Sequence, residues 1–97
     1  MKKLEEIKSI LVQHKEELRE RYGVKEIEIF GSYIRGEQKI TSDLDILIDF
    51  ERPVSLLHIV ALENYLSDIL EVKVDVVPKK NIRKELKEII LSEAILI

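Results

Sequence analysis

Along residues 2–22, apolar side chains recur at Leu4, Ile7, Leu11, Leu18 and Tyr22, steps of three, four, seven and four that line one stripe of a helix. Gly23 follows the last of them, where a residue free to adopt left-handed backbone closes a helix. The period then changes. Val24 to Phe30 is dense in Ile and Val and predicts a first strand. Asp43 to Phe50 predicts a second, with Leu44, Ile46, Ile48 and Phe50 on one face and Asp43, Asp45, Leu47 and Asp49 on the other. Between the two, Ser32 reads as the N-cap of a short helical turn through Tyr33 to Gly36, followed by a polar loop from Glu37 to Ser42.

Pro53 and Ser55 open a second long helix to about Leu70, on which Leu56, Val60, Glu63, Leu66 and Leu70 share a side that Leu57, Leu62 and Ile69 widen. Val72 to Val77 is a third alternating stretch ended by Pro78, with Asp75 opposite the row of Val72, Val74 and Val76. Asn81 predicts the cap of a last helix whose buried side is Ile82, Leu86, Ile89 and Ile90. The apolar tail Ala94 to Ile97 suits an edge strand, a plug of the core or a docking segment equally well. Helix, strand, turn, strand, helix, strand, helix in one domain over residues 1–97 predicts an α/β (α+β) class fold, a small mixed β-sheet flanked by helices.

Composition narrows the function more than the fold. A chain of 97 residues supports one core and no separate substrate domain, so its substrate is gripped partly by something else. With no cysteine there is neither a disulfide framework nor a thiolate metal site, and no apolar run predicts a membrane span or a signal segment. A cytoplasmic protein is expected. The net charge of -3 argues against broad nucleic-acid binding, which needs a basic field. Lys79, Lys80, Arg83, Lys84 and Lys87 read as the solvated face of a helix, and the isolated His14 and His58 as packing residues.

Two aspartates one residue apart on a strand, here Asp43 and Asp45, point to the same side with alpha carbons roughly 7 Å apart. Carboxylates that close repel each other and call for a proton, a cationic side chain or a divalent ion. Hard oxygen ligands favour magnesium or manganese, and Asp75 supplies a third carboxylate if its strand pairs with the second. Gly31 and Ser32, placed at a strand-to-helix junction, offer close backbone approach together with amide and hydroxyl donors to an anion. Either half alone is ordinary, since D-x-D arises by chance and Gly-Ser serves many turns.

Their combination is specific. The segment GSYIRGEQKITSDLDILIDF carries Gly31-Ser32, ten intervening residues and then Asp43-Leu44-Asp45, and it resembles the G-S-x10-D-x-D signature of the DNA polymerase beta nucleotidyltransferase superfamily. Arg35-Gly36, Ser42, the acidic third strand and the closing Ser92-Glu93-Ala94 resemble its small members, the minimal nucleotidyltransferases. The resemblance implies that Asp43, Asp45 and Asp75 ligate two Mg2+ ions, or Mn2+, with Asp75 helping to activate the attacking hydroxyl. It implies that Gly31 and Ser32 hold the phosphates of ATP, with Arg35 and Ser42 near the nucleotide; a helix-surface salt bridge suits Arg35 equally well. It further implies an antitoxin of a type VII-like toxin-antitoxin pair, transferring AMP from ATP to a tyrosine of a cognate HEPN-domain toxin, in a homo- or hetero-oligomer. A non-catalytic antitoxin that neutralises its toxin by binding, and transfer to RNA or a small molecule, are the alternative readings.

Overall fold

The computed structural model describes residues 2–97. Helix α1 (Leu4–Tyr22) buries Ile7, Leu11 and Leu18 and ends at Gly23, whose φ of 69° is the left-handed conformation that the sequence calls for. Strand β1 (Val24–Phe30) runs from there into a four-residue helix, α2 (Ser32–Arg35). Strand β2 (Leu44–Phe50), helix α3 (Leu56–Leu70) and strand β3 (Val74–Pro78) form a crossover unit. A 3-10 turn (Lys79–Asn81), helix α4 (Lys84–Glu93) and the two-residue strand β4 (Ile95–Leu96) complete the chain.

The sheet order is β3-β2-β1-β4. β1 pairs antiparallel with both β2 and β4, whereas β2 and β3 are parallel. A parallel pair cannot be closed by a hairpin and needs a crossover, which α3 supplies. α1 and α3 cover one sheet face, where the core gathers Ile29, Leu44, Ile46, Ile48, Val74 and Val76 from the strands. The other face keeps Asp45 and Asp75 accessible, although Leu47 on it is buried.

The alternation read along residues 44–50 holds, and the apolar tail takes the edge-strand option against β1. Other details differ. β2 begins at Leu44 rather than Asp43, β3 at Val74 rather than Val72, and Gly31, not Ser32, is the cap of α2. On α3 the buried stripe is Leu62, Leu66 and Leu70, while Leu56, Leu57 and Val60 are 74%, 81% and 42% exposed. The buried residues all belong to the expected apolar set, but the buried arc is centred on Leu62, Leu66 and Leu70 and not on Leu56 and Val60. Glu63 lies at the flank, where its carboxylate accepts the Val76 amide at 2.8 Å, and Ser67 Oγ accepts the Val74 amide at 3.1 Å. These two side chains satisfy the outward amides of edge strand β3, which would otherwise invite further pairing.

Asn81 ends the 3-10 turn and does not cap α4, whose N-cap is Arg83. α4 buries no residue fully, and Leu86 and Ile89 stay exposed, because no other layer covers that side. Among the described residues no helix is long and apolar enough to cross a membrane.

The corrected α3 phase is testable. Leu62→Ala is expected to cost about 2–5 kcal/mol in urea denaturation, as for other core truncations, and Leu57→Ala less than about 0.5 kcal/mol. Comparable losses from the two would contradict the burial described for this helix.

Candidate active site

The site is assembled by strand register. Phe30 on β1, Asp45 on β2 and Asp75 on β3 are successive partners across the sheet. Neighbouring strands lie about 4.8 Å apart, so Asp45 and Asp75 project from adjacent backbones on the same face. Asp43 precedes β2 by one residue, and the Leu44 amide next to it donates to Lys73 O at 2.8 Å, tying this end of β2 to the start of β3. All three sequence-selected carboxylates thus meet at one end of the parallel pair.

Gly31 follows Phe30 directly and brings the Gly-Ser turn onto Asp45. It has φ 84° and ψ -152°, and a Cβ built there would collide with the Asp45 carboxylate. Glycine is required twice over, for the backbone angle and for the space. The Gly31 carbonyl accepts the amides of Ile34 and Arg35, closing α2, whereas neither the amide nor the hydroxyl of Ser32 has a hydrogen-bond partner among the described residues.

Electrostatics single out Asp45. Its pKa is pushed up from 3.8 to about 6, first by burial and then by the charges of Asp75 and Asp43, with Arg35 opposing and Glu93 adding slightly. Among the described residues none of the three aspartates is in an ion pair. Lys79 instead takes Glu28 at 3.3 Å and Glu26 at 3.9 Å. No three acidic or imidazole groups among the described residues are gathered tightly enough to enclose an ion by themselves. The donor set nevertheless fits magnesium, which keeps several waters and is usually held by one or two carboxylates plus substrate phosphates. Their mutual repulsion is what such a cation relieves.

The other candidates have local partners. Arg35 donates to Glu37 at 2.7 Å and to Glu93 at 3.0 Å, the salt-bridge alternative, and both hydrogen bonds raise its pKa. Ser42 accepts the Lys39 amide at 2.8 Å and closes the loop before β2. Asp49 pairs with Glu26 far along the strand and stays outside the site. His14 and His58 each place a ring nitrogen on a backbone carbonyl, of Ile10 and Tyr22, as packing residues do. A concavity of about 640 Å³ around Arg19, Tyr22, Arg52 and His58 contains none of the three aspartates. A second of about 600 Å³ adjoins Asp43 and is lined by Tyr33, Ile40, Ser42, Val72 and Lys73. The carboxylate cluster, not cleft size, marks the site, since a small domain leaves much of a ligand to be covered by a partner.

Glu93, in the Ser92-Glu93-Ala94 segment that carries part of the family resemblance, lies 58 residues from Arg35, yet it reaches both Arg35 and the Gly31 amide, at 3.2 Å. Only the pairing of β4 with β1 makes that neighbourhood visible.

Carboxylates on adjacent parallel strands lie beneath a Gly-Ser turn, and residues 11–97 match the family model of the nucleotidyltransferase domain. The chain belongs to the nucleotidyltransferase domain family. It is 62% identical over 82 residues to a Methanocaldococcus jannaschii protein assigned by name to the protein adenylyltransferases, covering 84% of each chain. It is 52% identical over 92 residues to the protein adenylyltransferase MntA of Thermococcus cleftensis, covering 95% of this chain and 93% of that one. A solved structure described as a minimal nucleotidyltransferase superposes with a TM-score of 0.73 at 34% identity, covering 92% of this chain and 93% of the other. At 19% identity the fold, but no more, is shared with the chain matched in a structure of a tri-AMPylated Shewanella oneidensis HEPN toxin with its MNT antitoxin (TM-score 0.69; 93% and 70% covered).

The raised pKa of Asp45 has a definite sign. Between pH 3.8 and about 6 the folded chain keeps a proton that the unfolded chain releases, so stability falls as pH rises through this window. Without divalent cations, Asp45→Asn is expected to raise the melting temperature at pH 7 by a few degrees. That corresponds to about 1 kcal/mol after discounting for solvent at a half-exposed carboxyl. The gain should vanish below about pH 4. Equal melting temperatures at pH 7 would refute the repulsion described here.

Proposed function

We propose that the chain transfers AMP from ATP to a hydroxyl of a protein partner, a tyrosine of a cognate HEPN-domain toxin, and so acts in the cytoplasm as the antitoxin of a type VII-like pair. The observation that carries the chemistry is Asp45 and Asp75 in register beside Gly31, with Asp43 at the strand start and no ion pair on any of them. Relatives that are 62% and 52% identical bear the name protein adenylyltransferase, which supports a protein acceptor. The toxin as that acceptor follows from the family resemblance of the Gly31-Ser32 and Asp43-Leu44-Asp45 signature.

In the reaction the acceptor hydroxyl attacks the α-phosphorus of ATP, its oxygen forms the new ester bond, and pyrophosphate leaves with the electrons of the broken P–O bond. Asp43, Asp45 and Asp75 would hold two magnesium ions, which supply charge neutralisation for the triphosphate and lower the pKa of the attacking hydroxyl. Asp75, the exposed member, accepts the hydroxyl proton at its carboxylate. Ser32 donates its free amide and hydroxyl to the phosphates, and Gly31 gives the turn its approach to Asp45. Arg35 and Ser42 hold the segment between the two halves of the motif in place.

A second reading, neutralisation by binding alone, draws on the exposed apolar side chains Leu56 and Leu57 of α3 and Leu86 and Ile89 of α4. Incubation with labelled ATP, magnesium and the cognate partner should label the partner, and both Asp43→Asn and Asp45→Asn should reduce labelling by about 100-fold or more. Labelling that persists in both variants would remove the catalytic assignment. Full neutralisation of the toxin by an unlabelling Asp45→Asn protein would favour binding alone.

Gly31→Ala tests the turn separately. It should abolish transfer and lower stability by about 1–3 kcal/mol, because the new methyl group must displace Asp45 at a backbone angle that alanine resists. Retained transfer with an unchanged melting temperature would show that the close approach is dispensable.

A further inference from the structure

The Gly31 amide is already occupied. Glu93 Oε1 accepts it at 3.2 Å and also accepts Arg35 Nη1 at 3.0 Å, so one carboxylate oxygen joins the first residue of the turn to the last residue of α2. The placement is built into the sheet. β4 pairs Ile95 with Ile29 and Leu96 with Glu28, and the Ile97 amide donates to Ile27 O at 2.9 Å. Continuing this antiparallel register by two residues sets Glu93 opposite Gly31.

Two roles suit a carboxylate there. It could occupy the seat of a phosphate and yield to ATP, or it could be part of the frame that shapes the turn. The contacts favour the frame. Glu93 is two residues from a strand pair, its side chain is 23% exposed, and it is bound to a guanidinium that Glu37 holds from the other side at 2.7 Å. Its withdrawal would break the Gly31 and Arg35 contacts together. The turn meanwhile keeps donors that Glu93 does not use, the amide and hydroxyl of Ser32.

We propose that Glu93 is a positioning residue for nucleotidyl transfer: it holds the Gly31 amide and Arg35 so that the turn lies against Asp45 and Ser32 is left free to meet the triphosphate. This rests on the nucleotide-binding reading of the preceding subsection. It also makes the C-terminal strand part of the site, although the strand contributes no group that touches the substrate.

The test measures binding of a non-hydrolysable ATP analogue with magnesium, the KM and kcat of partner labelling, the melting temperature, and the 15N–1H signal of the Gly31 amide in the full chain. Glu93→Ala should weaken analogue binding and raise KM about tenfold, as loss of two charge-assisted hydrogen bonds at the turn implies. kcat should change by less than about threefold, because the reacting groups remain. The Gly31 signal should shift while the melting temperature stays within about 2 °C, since α4 has no fully buried residue. Glu93→Gln keeps an acceptor oxygen and should restore binding to within about threefold of the parent. Should Glu93→Ala fail to fold, Glu93→Asp, too short to reach both donors, is read in its place. Unchanged binding in Glu93→Ala would overturn the inference; tighter binding would do so too, by marking Glu93 as a competing anion, and so would equal weakening in Ala and Gln. No analogue binding by the unaltered chain would instead overturn the proposed function, and this inference with it.

Discussion

A half-buried aspartate in the middle of a four-stranded sheet, with a second aspartate as its register partner, is the arrangement around which the molecule is organised. Two like charges on adjacent strands are unfavourable unless something neutralises them. The chain's own cations offset them only in part: Arg35 lowers the pKa of Asp45 but is ion-paired to Glu37 and Glu93, and Lys79 is drawn to Glu26 and Glu28. A divalent cation is the kind of group that would relieve such repulsion. Gly31 belongs to the same constraint, since any side chain there would push Asp45 away from its position beside the turn.

Topology turns this local conflict into a reproducible geometry. Asp75 faces the same side as Asp45 only because β2 and β3 run parallel in a definite register, and a one-residue slip would bury it among the valines. α3 guards against that slip at both ends of its work. Leu62, Leu66 and Leu70 fix the helix on the core, and Glu63 and Ser67 accept the outward amides of Val76 and Val74. Stability and site geometry are therefore set by the same helix, although no residue of α3 belongs to the carboxylate cluster.

Much of this was legible in the chain itself. The period-two alternation from Leu44 to Phe50 identifies the acidic face of β2, and Gly23 marks the end of α1, because each is a local rule with a local cause. Gly31-Ser32 and Asp43-Leu44-Asp45 are likewise close enough in sequence to be read as a pair. Three features were not legible, for different reasons. The phase of α3 was misjudged because Leu56, Leu57 and Val60 are as apolar as the residues that are buried, so composition does not say which arc meets the sheet. α4 looked like a core helix although Leu86 and Ile89 remain exposed, since an amphipathic pattern shows which face is apolar and not whether a partner exists for it. Glu93 was invisible as a neighbour of Gly31 because its place depends on the pairing of a two-residue strand with β1.

The three aspartates are not equivalent, and their surroundings differ. Asp45 is partly desolvated, flanked by two carboxylates and pressed by the glycine turn, so its ionised form is the one that gains most from a cation. Asp75 sits at the same level of the sheet but is exposed on an edge strand. Asp43, just outside the strand and beside the cleft bounded by Tyr33 and Val72, has the position for meeting a ligand that enters from that side. One end of the parallel β2–β3 pair thus holds three carboxylates in three different environments. The difference among them comes from depth in the sheet and not from residue type.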